Sequence, residues 1–285
     1  MNYTLWIVTP NESYTHSRCF EEAAQSLRGG FKELGYGCEI VTKHPGLLSI
    51  KDNVIILGAH LLHPDDMLYL NNPIIWNLEQ IPDVTDIARF EAPLTEVYRK
   101  NLGQAEVWDY SPANIEALAK MGIEAKLLEV GYSPCLTRIE NVPEPDIDVL
   151  FIGSMNQRRA HVLQGLQAHG VKVIHAFDCY GVKRDALIAR AKMVLNVHYY
   201  EAKLFEIVRC SYLLSNRKAV VSEVGSDKQL EGPYANGICF DDYDRLVDRT
   251  IDLLAHDEER EAIAQRGFEI MTGRSQAEFL RRVLQ

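Results

Sequence analysis

The sequence lacks any CxxC pair, any GxGxxG after a predicted strand, and any apolar run near the ~18 residues that a membrane span needs. The six cysteines, at positions 19, 38, 135, 179, 210 and 239, have no regular spacing. They fit reduced thiols better than a disulfide framework or a zinc site, and no metal ligands are expected. The missing glycine fingerprint counts against a nicotinamide dehydrogenase. The opening segment MNYTLWIVTPNESYTH has a short apolar run with no basic stretch before it, so we expect a first strand rather than a signal peptide, no integral membrane segment, and a cytoplasmic protein.

Positive charge is scarce in the first half. Residues 1–140 hold 11 Lys and Arg against 19 Asp and Glu, a balance of −8, whereas residues 151–218 hold 11 against 4, a balance of +7. An acidic half argues against nucleic acid or an anionic membrane surface as partner, and a modest basic segment suits a small anion such as a phosphate.

What is present is 285 residues, 47% hydrophobic and 25% charged, arranged as apolar strand-like runs alternating with helical patterns. Strands are expected at 4–9, 38–43, 53–59, 73–81, 105–111 and 125–130, with helices at 17–36, around 93–102 and at 112–121. Ser111-Pro112 is a good helix start, serine as cap and proline at the first helical position. The stretch SPCLTRIENVPEPDI, 133–147, carries three prolines and breaks the rhythm. Strands are then expected at 148–154, 171–177, 193–199, 219–224 and 237–240. Helices are expected at 157–169, 181–191, 203–216, 243–255, 257–270 and 275–284. Apolar strands separated by helices predict an α/β protein of two tandem Rossmann-like, doubly wound parallel sheets. We expect domains at 1–133 and 148–285 with a linker at 134–147, the last helix packing back on the first domain.

Ligands of such sheets lie beyond the carboxyl ends of the strands. Three loops of the second half follow strands and open helices: GSMNQRR (153–159), DCYGVKRD (178–185) and HYYEAKLFE (198–206). Helix N-termini there offer free N–H groups and partial positive charge to an anion. Gly153 and Ser154 permit close backbone approach, and Arg158 and Arg159 supply bidentate donors suited to phosphate oxygens. On a helix running from 203, Glu206 and Arg209 share a face and Lys203 lies one turn earlier. His198 and His175, within apolar strands, are expected to be buried; His198 and Tyr200 adjoin the acidic stretch. In the first half, the strand-end loops contribute His16, His60 and Glu79. Glu79 follows an apolar strand and is a candidate base for a hydroxyl.

Taken in order, FIGSMNQRR, YYEAKLFE with SYLLSNRKAVVSEVGSD, and GPYANGICFDDYDRLVDRTIDLLAHDEEREAIAQRG resemble the donor-binding domain of GT-B glycosyltransferases of the retaining group, over roughly residues 148–272. The resemblance implies two such domains facing a cleft. It also implies a nucleotide-diphospho-sugar as co-substrate without a metal cofactor, a glycan or small-molecule acceptor, and a place in polysaccharide biosynthesis. By it, Gly153, Arg158 and Lys203 would hold the diphosphate, and Glu206 would accept from a ribose or sugar hydroxyl. Arg209 could pair with Glu206 or reach phosphate. The catalytic candidates are Glu79, Glu201 and His16. The family spaces two glutamates eight apart, which would put the second near Tyr212; here Glu201 and Glu206 are five apart, and the motif does not divide the two roles between them. Retention of configuration rests on the resemblance alone. A nucleotide-sugar 2-epimerase of the same fold and a non-catalytic glycosyltransferase-like module are the alternatives.

Overall fold

The computed structural model describes residues 2–81, 95–200 and 202–285, apart from the side chain of Pro64. The chain divides into two compact units, Met1–Cys135 with Ser275–Gln285, and Leu136–Arg274.

In the first unit the strands are β1 (Asn2–Ile7), β2 (Gly37–Val41), β3 (Val54–Leu57), β4 (Ile74–Asn77), β5 (Glu106–Asp109) and β6 (Ala125–Leu127). All pair in parallel, in the order β2-β1-β3-β4-β5-β6. The helices are α1 (Glu21–Glu33), α2 (Glu96–Leu102) and α3 (Pro112–Lys120). Helix α3 starts as its sequence predicts, with the Ser111 side chain accepting from the Asn114 N–H and proline in the first turn. Strand β3 is buried at all four residues, as a central parallel strand covered on both faces must be. Trp6, Ile56, Ile75, Leu102, Val107 and Leu118 join one core, where full burial of each large aliphatic side chain contributes roughly 1.5–3 kcal/mol.

The second unit repeats the pattern. Its strands are β7 (Ile147–Ile152), β8 (Val173–Ala176), β9 (Ala191–Asn196), β10 (Ala219–Glu223) and β11 (Cys239–Asp241). They are all parallel, in the order β11-β10-β9-β7-β8. Helices α4 (Gln157–Ala168), α5 (Val182–Arg190), α6 (Ile207–Ser215), α7 (Lys228–Glu231), α8 (Leu246–Ala255) and α9 (Asp257–Thr272) connect and cover it. The last helix, α10 (Gln276–Val283), belongs to the first unit. Gln276 accepts the Gly131 N–H at Oε1 and donates to the Glu129 carbonyl, and Gly30 of α1 lies against Leu280 so closely that a Cβ there would sit 2.9 Å from it.

Residues 136–147, expected as linker, are docked on the second unit. Asn216 Oδ1 accepts the Arg138 and Ile139 N–H groups, and Thr137 Oγ1 donates to the Ser215 carbonyl. The strands and helices otherwise fall where the apolar runs put them, with ends shifted by up to four residues in either direction; the start of the helix expected around 93 lies outside the described residues. His175 departs from expectation: β8 is an edge strand, so the side chain is exposed rather than buried. Among the described residues no helix is long and apolar enough to cross a membrane.

Candidate functional site

Each sheet has a switch point where its strand order reverses, between β1 and β3 in the first unit and between β7 and β9 in the second. A crevice opens at such a point beyond the carboxyl ends of the strands, and the sequence candidates gather around the two of them.

In the second unit, Gly153 directly follows β7. Its φ of +141° favours glycine, and a Cβ would stand 3.4 Å from both Arg159 Nη1 and Arg209 Nη2. Asn156 caps α4, accepting the Arg159 N–H at 2.9 Å, and donates to the Tyr199 carbonyl at 3.1 Å, tying the loop after β7 to the loop after β9. Ser154 gives its carbonyl to Arg159 Nη1 at 2.9 Å.

Arg159 is a strut rather than an open donor. It is 3% exposed, Nε donates to the Val197 carbonyl at 2.8 Å, and Nη2 lies 3.7 Å from Glu206 Oε1, with the Phe151 and Tyr199 ring centres 5.2 and 5.1 Å from its guanidinium. Burial, with Arg209 nearby, lowers its pKa to about 10. The physical reason is helical spacing: adjacent residues point about 100° apart, so with Arg158 outward, Arg159 turns in. Of the two arginines expected to offer paired donors to phosphate, Arg158 is partly exposed and Arg159 is buried.

The helix expected from 203 begins at Ile207, with Glu206 as its cap residue. Lys203 has a left-handed φ of +49°, so the turn leading to α6 is not helical and Lys203 does not sit one turn before Glu206. Glu206 Oε2 accepts Asn196 Nδ2 at 2.8 Å and lies 3.0 Å from His198 Nδ1, while Arg209 Nη1 donates to Asn196 Oδ1 at 2.9 Å. Burial raises the Glu206 pKa, but His198 and Arg209 outweigh it and hold the carboxyl down to about 2. Burial works equally against the charged imidazole of His198, and the Glu206 carboxylate reverses this, so His198 titrates above its ordinary value. His198 is buried, as expected, and its Nε2 has no hydrogen-bond partner among the described residues. Glu206 is thus an internal anchor, with far less freedom to meet a sugar hydroxyl than its sequence position suggested. Glu201 lies outside the described residues.

Above this inner tier stands an outer one, built on a residue that sequence reasoning missed. Glu223, at the end of β10 and 1% exposed on its side chain, accepts Arg158 Nη1 and Nη2 at 3.0 and 2.7 Å and lies 3.1 Å from Lys203 Nζ. The Tyr243 ring lies 4.2 Å from the Arg158 guanidinium. Arg158 and Lys203 remain 33% and 41% exposed, so the outer tier offers two cations to solvent from a buried carboxylate root. Tyr199 and Tyr200, their rings 5.0 Å apart, flank the same loop half-buried. Tyr212, where a second family glutamate would fall, instead lies under Arg138 and Arg184.

In the first unit, Asn77 at the end of β4 fixes the loop that carries Glu79. Its Oδ1 accepts the Glu79 N–H at 3.0 Å and the Tyr98 hydroxyl at 2.6 Å, and its Nδ2 donates to Asp109 at 2.5 Å. Asn114 Nδ2 donates to the Glu79 carbonyl at 2.9 Å. Glu79 Oε1 lies 3.7 Å from His60 Nδ1. Burial pushes the Glu79 pKa up to about 7, against the pull of His16, and burial drives His60 down to about 4. His16, exposed, opens the short 3-10 turn before α1. Asp252, His256 and Glu259 are close enough to share a metal ion, but all are exposed and both carboxylates already pair with Arg249.

No protein-family model matches the chain. A protein of Acanthamoeba polyphaga mimivirus, L140, is 31% identical over 197 residues, covering 65% of this chain and 60% of its own length. A second from that virus, L137, is 34% identical over 110 residues, 15% of its length, so the chain spans only part of these relatives. Among solved structures, the Anabaena protein HepE in complex with UDP-glucose covers 100% of this chain and 99% of its own at TM-score 0.63 and 12% identity. The avilamycin-pathway glycosyltransferase AviGT4 gives 0.61 at 14%, over 100% of this chain and 96% of its own. WaaG, of lipopolysaccharide biosynthesis, gives 0.60 at 11%, over 99% and 98%. The chain has a GT-B glycosyltransferase-like fold. These solved structures superpose on nearly the whole chain at 11–14% identity, so the likeness carries the fold and leaves the chemistry to the side chains at the strand ends.

Proposed function

We propose that the protein is a glycosyltransferase that moves a sugar from a nucleoside-diphosphate sugar to a hydroxyl of a glycan or small acceptor without a metal ion. The observation that carries this reading is the outer tier of the second unit: Arg158 and Lys203, on the segments that follow β7 and β9 at the switch point, half-exposed and 2.7–3.1 Å from one buried carboxylate at the end of β10. Cations so placed would stabilise the charge that develops on a departing diphosphate, the part of the reaction that gains most from fixed electrostatics. Gly153 would allow the phosphates close to the backbone, and Arg209 extends the basic surface. In the first unit, Glu79 is the proposed proton acceptor for a hydroxyl, because a carboxyl titrating near 7 can take a proton at neutral pH and release it again. HepE was solved with UDP and with UDP-glucose, which makes uridine donors the first to try.

The test is incubation with UDP-glucose and a panel of nucleotide sugars, with and without acceptor glycans, followed by mass analysis. Transfer to an acceptor with release of the nucleoside diphosphate supports the reading. A second nucleotide sugar formed without acceptor means an epimerase, and no turnover together with no nucleotide binding overturns the assignment.

A further inference from the structure

We propose that Glu223 is the positioning residue of the diphosphate site, holding Arg158 and Lys203 as a preformed pair; this rests on reading the second unit as the donor-binding one. Two cations on long side chains would ordinarily repel and roam, and ordering them on ligand arrival costs side-chain entropy. Glu223 removes both obstacles. Its carboxylate takes two guanidinium donors from Arg158, the Lys203 ammonium at 3.1 Å, and the His198 N–H at 3.1 Å, which uses the acceptor capacity of both oxygens. The carboxylate cannot swing away, because it ends a strand buried at all five residues and paired on both sides.

The protein accepts backbone strain to bring Lys203 there. A lysine at a φ of +49° is kept only where surroundings enforce it. The turn after β10 supplies the enforcement: the Ser226 N–H donates to the Lys203 carbonyl at 2.9 Å and Ser226 Oγ to the Ala202 carbonyl at 2.6 Å. Gly225 approaches so closely that a Cβ would lie 2.3 Å from the Lys203 carbonyl oxygen. Arg158 is fixed on its other side by the Tyr243 ring, whose hydroxyl donates to the Arg158 carbonyl at 2.9 Å. Three separate devices therefore hold one geometry, and the trio keeps one net positive charge for an anion.

Isothermal calorimetry on the full chain, with UDP and inorganic pyrophosphate as probes, tests this in the wild type, Glu223→Gln, Glu223→Asp, Arg158→Ala and the Glu223→Gln/Arg158→Ala double variant. Glu223→Gln is expected to keep its far-UV dichroism and to weaken both probes at least tenfold. Glu223→Asp recovers part of the loss, and the double variant loses clearly less than the sum of the two single losses, since Glu223 acts in part through Arg158 and in part through Lys203. Should Glu223→Gln not fold, Glu223→Asp carries the same comparison, an intermediate weakening supporting the assignment and wild-type affinity overturning it. Equal or tighter binding by Glu223→Gln would mean the carboxylate merely competes with phosphate, and additive losses would mean it acts independently; either overturns the assignment. Wild-type protein that binds neither probe removes the donor reading itself, a distinct result.

Discussion

The two units share a strand order up to one extra strand, yet the candidate carboxylates beyond their strand ends titrate at opposite ends of the carboxyl range. Glu206 in the second unit is held to about 2 and Glu79 in the first is pushed to about 7. Both are partly buried, at 13% and 24% side-chain exposure, and burial alone raises each. Company makes the difference. Glu206 sits among His198, Arg209 and Asn196, whereas Glu79 faces a His60 that burial keeps neutral and only a distant pull from His16. One topology thus yields an anion anchor and a proton-exchanging carboxyl, decided by a handful of side chains beyond the strand ends.

The comparison breaks most readily at Arg159. Arg159→Met keeps the volume but removes the buried fork beside Glu206, and we expect a loss of about 3–5 kcal/mol in chemical denaturation, as for other broken buried ion pairs. A smaller loss would mean that the inner tier is less coupled than its distances imply. Gly225→Ala comes next. The added methyl meets the Lys203 carbonyl and the loop must shift, which we expect to cost roughly 1–3 kcal/mol of stability and to abolish measurable UDP binding. Calorimetry on the folded variant checks it.

The opposed titrations can be read directly from stability against pH. Glu79, raised in the folded state, contributes stability that is complete below its ordinary value of 4.5 and is lost as pH rises through about 7. Glu206, lowered, contributes stability that is present above 4.5 and is lost as pH falls through about 2. Glu79→Gln should therefore flatten part of the decline between pH 4.5 and 7, and Glu206→Gln part of the decline below pH 4.5, in urea titrations across that range. Asp109, buried and also raised to about 7, keeps some of the first slope in place. The smallest effect is expected from exposed His16: His16→Ala should change stability by less than about 0.5 kcal/mol and move the Glu79 titration upward, since His16 is the neighbour that pulls it down. Carboxyl resonances in NMR would show the shift.

Much of this was legible in the residues. Apolar runs broken by helical periods mark both sheets because a parallel strand buried on two faces has no polar side to disguise it. Glu79 stands out as the first charge after such a run, and the same rule applied to AVVSE would have singled out Glu223. The α6 boundary was not legible: KLFE suits a helix, and only the close approach of Gly225 and Ser226 forces Lys203 into a left-handed turn. Arg159 could have been turned inward on paper, since neighbouring helical residues cannot both face one ligand. The exposure of His175 depends on β8 being an edge strand, which is a property of strand order and leaves no trace in a run such as VKVIHAF.

Hydrogen–deuterium exchange with and without UDP is the most direct measurement of the central claim, that a diphosphate is held by the outer tier of the second unit. Slower exchange on UDP addition is expected in 153–159, 198–209 and 222–227, with the effect lost in Arg158→Ala. Protection confined to other segments, or unchanged in Arg158→Ala, would contradict it.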